Sequence, residues 1–172
     1  MLKKIQSVYD KVLTVIAAIL LAVMFCVLVA NVILRLVPSV GGFKWYMEFS
    51  QYANVWAMLI GAAGIAAMGT NLRVEAVDGI FSKIKYGNKI ARTIVDVFLI
   101  VYYYYITKSG MVLSQKAVQK VSTMQQFTMG QVYKIFPIAG VLCIIGAIIN
   151  LLVVWTSKDE DLAKTNDEGG VA

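Results

Sequence analysis

Four charged side chains stand at or near the ends of long apolar runs, and they are the first candidates for chemistry: Arg35, Glu48, Asp96 and Lys108. A charge at the centre of a bilayer costs about 2.5–3.5 kcal/mol on insertion scales, so a deep one indicates function. We expect Arg35, Asp96 and Lys108 to lie at membrane interfaces instead. Glu48 is the stronger candidate, because a carboxylate that leads into a Gly/Ala-rich helix can pair with a cation on a neighbouring chain.

Three asparagines, Asn31, Asn54 and Asn150, each lie within an apolar run. An amide in such a position hydrogen-bonds between helices, and the bond contributes about 0.5–2 kcal/mol. For all three we expect a structural role rather than ligand binding.

Residues for catalysis or metal binding are sparse. The chain has no histidine, and its two cysteines, Cys26 and Cys143, sit in separate apolar runs rather than in a CxxC pair. Neither a P-loop nor a Rossmann fingerprint is present. The sequence therefore predicts no enzyme and no catalytic, cofactor-binding or metal-binding residues, and it disfavours a lipid-modifying membrane enzyme for the same reason.

The composition is that of a polytopic membrane protein. Of 172 residues, 59% are hydrophobic and only 15% are charged, whereas about a quarter of the residues in ordinary soluble domains are charged. The net charge of +6 could suggest nucleic acid, but the basic residues cluster beside apolar segments. That placement favours topology signals and contact with anionic membrane lipid.

Apolar length predicts an all-α integral membrane protein with four transmembrane helices and interfacial amphipathic segments. The membrane domain is predicted over residues 1–157, and residues 158–172, which are charged and lack aromatics, are predicted to form a disordered cytoplasmic tail. The second helix could begin at Tyr52 rather than at Glu48. The four predicted spans cover approximately residues 12–35, 48–69, 90–113 and 135–156.

Two connecting segments are harder to assign. Residues 71–89 carry apolar side chains at helical spacing, which favours a surface-lying amphipathic helix over a polar connector. Residues 114–131 are polar but retain a few apolar positions, and they either extend the third helix or lie along the membrane surface.

Four crossings put both termini on one side of the membrane. Ten of the 16 Lys and Arg residues fall on that side, and the positive-inside rule then predicts cytoplasmic termini. The ten residues are Lys3, Lys4, Lys11, Arg73, Lys83, Lys85, Lys89, Arg92, Lys158 and Lys164.

The second span is rich in Gly and Ala, which let other helices approach closely inside a bilayer. Motifs around it resemble those of the small membrane subunit (DctQ or SiaQ type) of tripartite ATP-independent periplasmic (TRAP) transporters. They are NVILR at 31–35, EFSQY at 48–52, Trp56, LIGA at 59–62 and NLRV at 71–74.

The resemblance implies a scaffold subunit of a sodium-coupled symporter in the bacterial inner membrane. A large membrane subunit would hold the substrate and sodium sites. A periplasmic binding protein would deliver a carboxylate solute of the sialic acid or C4-dicarboxylate class. In elevator-type transport the small subunit would enlarge the part that stays fixed. The alternative is a self-contained four-helix transporter or channel, which predicts that the chain alone moves a solute in liposomes.

We expect one set of residues to form or support the contact with the large subunit: Arg35, Glu48, Tyr52, Trp56, Ala57, Gly61 and Gly64. A weaker hypothesis concerns two predicted periplasmic segments, the one around Lys44 and residues 114–131. It assigns three lysines to docking of the binding protein: Lys44, Lys116 and Lys120.

Overall fold

In a computed structural model, described for residues 2–37, 41–69 and 87–156, five helices make up the architecture. They are α1 (Leu2–Leu36), α2 (Tyr46–Met68), α3 (Gly87–Lys116), α4 (Met129–Tyr133) and α5 (Ile135–Thr156). Within this described part, four segments are long and apolar enough to cross a membrane. The predicted all-α fold with four transmembrane helices is thereby confirmed. Most of the predicted amphipathic segment at 71–89 and the whole tail at 158–172 lie outside the described residues.

Helix α1 is longer than a membrane crossing requires. Its 35 residues, at about 1.5 Å per residue, extend for about 50 Å, whereas a hydrocarbon core is about 30 Å thick. The residues before position 12, which include Lys3, Lys4 and Lys11, are therefore continuous with the first span, and one end of α1 or both must project beyond the hydrocarbon.

The helices pack in the spatial order α1, α2, α5, α3, with a smaller contact between α1 and α5. Helices α2 and α5 are central, because a much larger share of their residues is buried than in α1 or α3. We call the end of the bundle that holds Leu2, Gly69 and Thr156 the terminal end. The opposite end, which holds Leu36, Tyr46 and the chain from Lys116 to α4, is the loop end.

The contact between the two central helices is built from small residues. Ala63, Ala67 and Ala147 are completely buried. At Gly146 the helices approach so closely that a Cβ atom would lie 2.8 Å from the Ala63 carbonyl oxygen and 3.0 Å from the Ala67 amide nitrogen. Small side chains stabilise membrane bundles in this way, because dispersion contacts between close backbones replace the hydrophobic effect. Gly110 serves the α3–α5 contact likewise, facing Phe136.

Hydrogen bonds close both ends of the bundle. At the terminal end the Gln6 amide donates to the Ala67 carbonyl at 2.7 Å, and Gly69 ends α2 with a φ of 64°, a conformation that glycine adopts without strain. At the loop end, the Asn31 side-chain oxygen accepts the Phe43 N–H at 2.7 Å. Asn31 therefore bonds to the segment that connects α1 and α2, not to another helix as expected from the sequence.

Residues 117–128 form a folded-back loop between α3 and α4. The Val121 N–H donates to the Phe127 carbonyl at 3.0 Å, and the Val121 side chain is completely buried. A capping box of Thr128 and Gln131 then starts α4. Of segment 114–131, only the part up to Lys116 extends the third helix.

Candidate functional site

Glu48, in the first turn of α2, is joined to the loop end of its own chain. Its carboxylate oxygen Oε2 accepts the Thr123 backbone N–H at 3.0 Å and also accepts a hydrogen bond from the Thr123 hydroxyl. The carboxylate thus holds the loop at 117–128 against the start of α2. Sequence reasoning could not find this partner, which lies 75 residues away.

Replacing Glu48 with alanine is expected to loosen this loop. Hydrogen bonds to a charged group contribute about 1.5 kcal/mol or more, which corresponds to roughly tenfold faster opening. Hydrogen–deuterium exchange at residues 121–127 measures the change, with Glu48→Gln, which keeps an acceptor oxygen, as the control. Equal exchange in the Glu48→Ala variant and the original chain would show that the carboxylate does not hold the loop.

Two aromatic residues of the predicted contact set also bond within the chain. The Trp56 indole N–H donates to the Val132 carbonyl at 3.2 Å, and the Tyr52 hydroxyl donates to the Met129 sulfur at 3.6 Å. Both bonds join α2 to α4. These two side chains support the fold from the inner side of α2.

Ala57 and Gly64 also face inward. Ala57 is 2% exposed, and a Cβ atom at Gly64 would lie 2.8 Å from the Asp10 carboxylate oxygen. Gly61 is different, because a Cβ atom there would meet nothing within 4 Å. Gly61 is therefore the residue of the predicted contact set on α2 that has open space beside it, whereas Tyr52, Trp56 and Ala57 contact their own chain.

Gly61 belongs to a continuous outward surface, which we call the outer face of α2. Its members recur at helical spacing and are Met47, Gln51, Asn54, Met58, Gly61 and Ile65. The apolar members are well exposed, Met58 at 66%. The Asn54 side chain, well inside the predicted span, makes no hydrogen bond to any residue in the described part of the chain. An amide in hydrocarbon is costly without a partner, so the outer face has the chemistry of a helix–helix contact.

The predicted cationic residues share the loop end and are exposed there: Arg35, Lys44, Lys116 and Lys120. They lie on different elements, since Arg35 ends α1, Lys116 ends α3, Lys44 precedes α2, and Lys120 lies in the 117–128 loop. Together they give this end of the molecule a positive surface.

The structure pairs two buried polar residues at the terminal end that sequence reasoning treats only separately. Asp96 on α3 is 2% exposed and Asn150 on α5 is 5% exposed. The Asn150 side-chain nitrogen donates to both Asp96 oxygens, at 3.0 and 2.9 Å. The positive charge of Arg92, one turn earlier on α3, acts on the same carboxylate. A partial signal was available: in antiparallel spans, residues at similar distances from one end of the bundle lie at a similar depth.

Among the residues that the structure describes, no group of three or more His, Cys, Asp or Glu side chains could hold a metal ion. Three polar features bear on function: the hydrogen bonds between Glu48 and the 117–128 loop, the outer face of α2 and the Asp96–Asn150 pair.

A family model for the DctQ component of tripartite ATP-independent periplasmic transporters matches residues 24–157. The chain belongs to the DctQ family. The match runs from within the second half of α1 to the residue after α5, so it includes the outer face of α2 and the Asp96–Asn150 pair. A comparison with curated proteins found no match.

Membership confirms the resemblance seen in the sequence motifs. DctQ proteins are components of a transporter rather than a family of enzymes, and they act with the other TRAP components. This DctQ chain is therefore a small membrane component of a TRAP transporter, with four helices suited to crossing the membrane.

Proposed function

We propose that this chain is the fixed scaffold subunit of a sodium-coupled TRAP carrier in the bacterial inner membrane. It pairs with a large membrane subunit that holds the solute and sodium sites. A periplasmic binding protein delivers the solute, a carboxylate of the sialic acid or C4-dicarboxylate class. The observation that carries the pairing is the outer face of α2, where the side chain of Asn54 has no hydrogen-bond partner among the residues that the structure describes.

The outer face suits a partner helix for three reasons. Met47, Met58 and Ile65 present apolar side chains, and the two flexible methionines can adapt to an opposing surface. Gly61 leaves room for close approach. Asn54 offers both a donor and an acceptor to a polar group on the other helix. Such a contact leaves the inner side of α2 free to hold α1 and α5.

In this proposal Glu48, Tyr52, Trp56, Ala57 and Gly64 support the contact from within the chain, and Arg35 supports it from the exposed end of α1. Both termini lie in the cytoplasm, as the distribution of Lys and Arg favours. The loop end then faces the periplasm. Its exposed lysines, Lys44, Lys116 and Lys120, are positioned to dock the binding protein.

Gly61→Leu is expected to separate the two membrane subunits without unfolding this one. A leucine at Gly61 has open space within its own chain but would clash with a closely packed partner helix. Overpacking costs about 1–3 kcal/mol, and each 1.4 kcal/mol is about tenfold in affinity. Copurification with the coexpressed large subunit should therefore fall by about tenfold or more, and solute uptake should fall with it.

Ala22→Leu is the matched control, since Ala22 is exposed on α1 and the change places the same leucine side chain outside α2. It should leave copurification and uptake unchanged. An intact complex with normal uptake in the Gly61→Leu variant would reject the assignment of the outer face. Ion-driven solute flux by the chain alone in liposomes would reject the scaffold function itself.

A further inference from the structure

The first turn of α2 carries side chains that point to two different neighbours. Met47 and Gln51, four residues apart on one side of the helix, belong to the outer face and are exposed. Glu48 follows Met47 directly but is half-buried, and its carboxylate accepts the two hydrogen bonds from Thr123 in the 117–128 loop. One helical turn therefore joins the outer face of α2 to this loop.

This first turn has no hydrogen-bonding cap. Trp45, the N-cap residue, makes no side-chain hydrogen bond to the turn, whereas a capping side chain satisfies one of the N–H groups that every helix start leaves open. The local support is aromatic instead, from contacts of Trp45 with Phe43 and Phe49. A helix start without a cap is less stable than a capped one, so we expect this turn to depend on contacts with other elements.

The 117–128 loop is packed loosely against the same turn. A cavity of about 690 Å³ separates them, with Trp45 and Phe49 on one side and Thr123 and Phe127 on the other. In the described part of the chain, the hydrogen bonds that join this loop to α2 are the two between Thr123 and Glu48. A segment held by few contacts opens locally at low free energy, so the closed position of the loop depends on Glu48.

Contacts on two sides of one turn are coupled when both require the turn to be helical. A partner helix on the outer face contacts Met47 and Gln51 in the arrangement of a formed turn, and the same formed turn aims Glu48 at Thr123. Whatever favours the turn from one side therefore favours the contact on the other side, and such coupling is reciprocal.

We infer that packing of the large subunit on the outer face of α2 stabilises the closed 117–128 loop through Glu48. The inference rests on the proposed pairing of the two membrane subunits. It makes the loop, which carries the exposed Lys120, better ordered in the complex than in the chain alone. Docking of the binding protein is thereby favoured on the assembled carrier.

Hydrogen–deuterium exchange at residues 121–127 tests this inference, measured on the chain alone and on its complex with the coexpressed large subunit. Exchange should be about fivefold slower or more in the complex, the lower end of typical coupling between two sites. Glu48→Ala should abolish the difference between the two samples. Glu48→Gln, which keeps an acceptor oxygen for Thr123, should retain most of it.

A matched pair of variants on the outer face separates coupling from direct coverage of the loop. Met47→Ala removes a partner contact at the first turn, and Ile65→Ala removes one near the terminal end of α2. The two side chains are similarly exposed, at 57% and 49%. In the complex, Met47→Ala should lose most of the protection at residues 121–127, and Ile65→Ala should keep it.

Equal exchange in the original chain and its complex would overturn the inference. Protection that persists in the Glu48→Ala complex would also overturn it, since the large subunit would then cover the loop directly. So would equal protection in Met47→Ala and Ile65→Ala, and this pair decides the matter if Glu48→Ala does not copurify. Failure of the original chain to copurify with the large subunit would instead contradict the proposed function, and the inference would fall with it.

Discussion

Gly146→Leu is expected to force α2 and α5 apart and to be among the most destabilising single changes in this chain. The nearest atoms to an added Cβ are backbone atoms of α2, the Ala63 carbonyl oxygen at 2.8 Å and the Ala67 nitrogen at 3.0 Å. Backbone inside a helix cannot move aside as a flexible side chain can, so the whole helix must shift. Overpacking of this kind costs about 3 kcal/mol or more.

The measurement for Gly146→Leu is the melting temperature of the purified chain in detergent. A loss of about 3 kcal/mol lowers it by roughly 6–12 °C for a protein of this size. Gly61→Leu makes the same substitution on α2 but at a position that faces open space, and it should melt near the original temperature. Equal melting of the two variants would show that the α2–α5 contact does not depend on close approach at Gly146.

Asn150→Leu is expected to produce a loss of similar size for an electrostatic reason. The Asn150 amide nitrogen is the donor for both oxygens of Asp96, a carboxylate only 2% exposed. Leucine fills the volume but leaves the carboxylate without these bonds. A buried charged group that loses its hydrogen-bond donor destabilises a fold by about 3 kcal/mol.

A double-mutant cycle separates this effect from lost packing. If the unpaired carboxylate is the cause, then Asp96→Leu combined with Asn150→Leu should be more stable than the sum of the two single changes predicts, by about 2 kcal/mol. Arg92, whose positive charge acts on the Asp96 carboxylate, is present in all four members of the cycle. Strictly additive melting shifts would show that Asp96 and Asn150 act independently.

Helix α2 is used on two opposite sides, and this organises the molecule. Its inner side carries Ala57, Ala63 and Gly64, which hold α1 and α5 at close distance. Its outer face carries Asn54 and Gly61, which are unpartnered within the described chain. A scaffold needs both features, a rigid body of its own and a surface that stays available for another chain.

Much of the fold was predictable from the sequence. In a bilayer every backbone N–H and C=O must be satisfied within the segment, so an apolar run of sufficient length has to be a helix. That rule and the run lengths predicted four spans, and the four helices confirm them. The motifs around residues 31–35 and 48–52 also led to the correct family.

Other features were decided by the tertiary structure alone. Helix α2 has Gly and Ala on several faces, so its hydrophobic pattern could not tell the inner side from the outer face. The partners of Glu48 and Asp96 lie 75 and 54 residues away, beyond any local pattern. The physical reason is that apolar length determines whether a helix crosses the membrane, whereas the direction of each face depends on which neighbour packs against it.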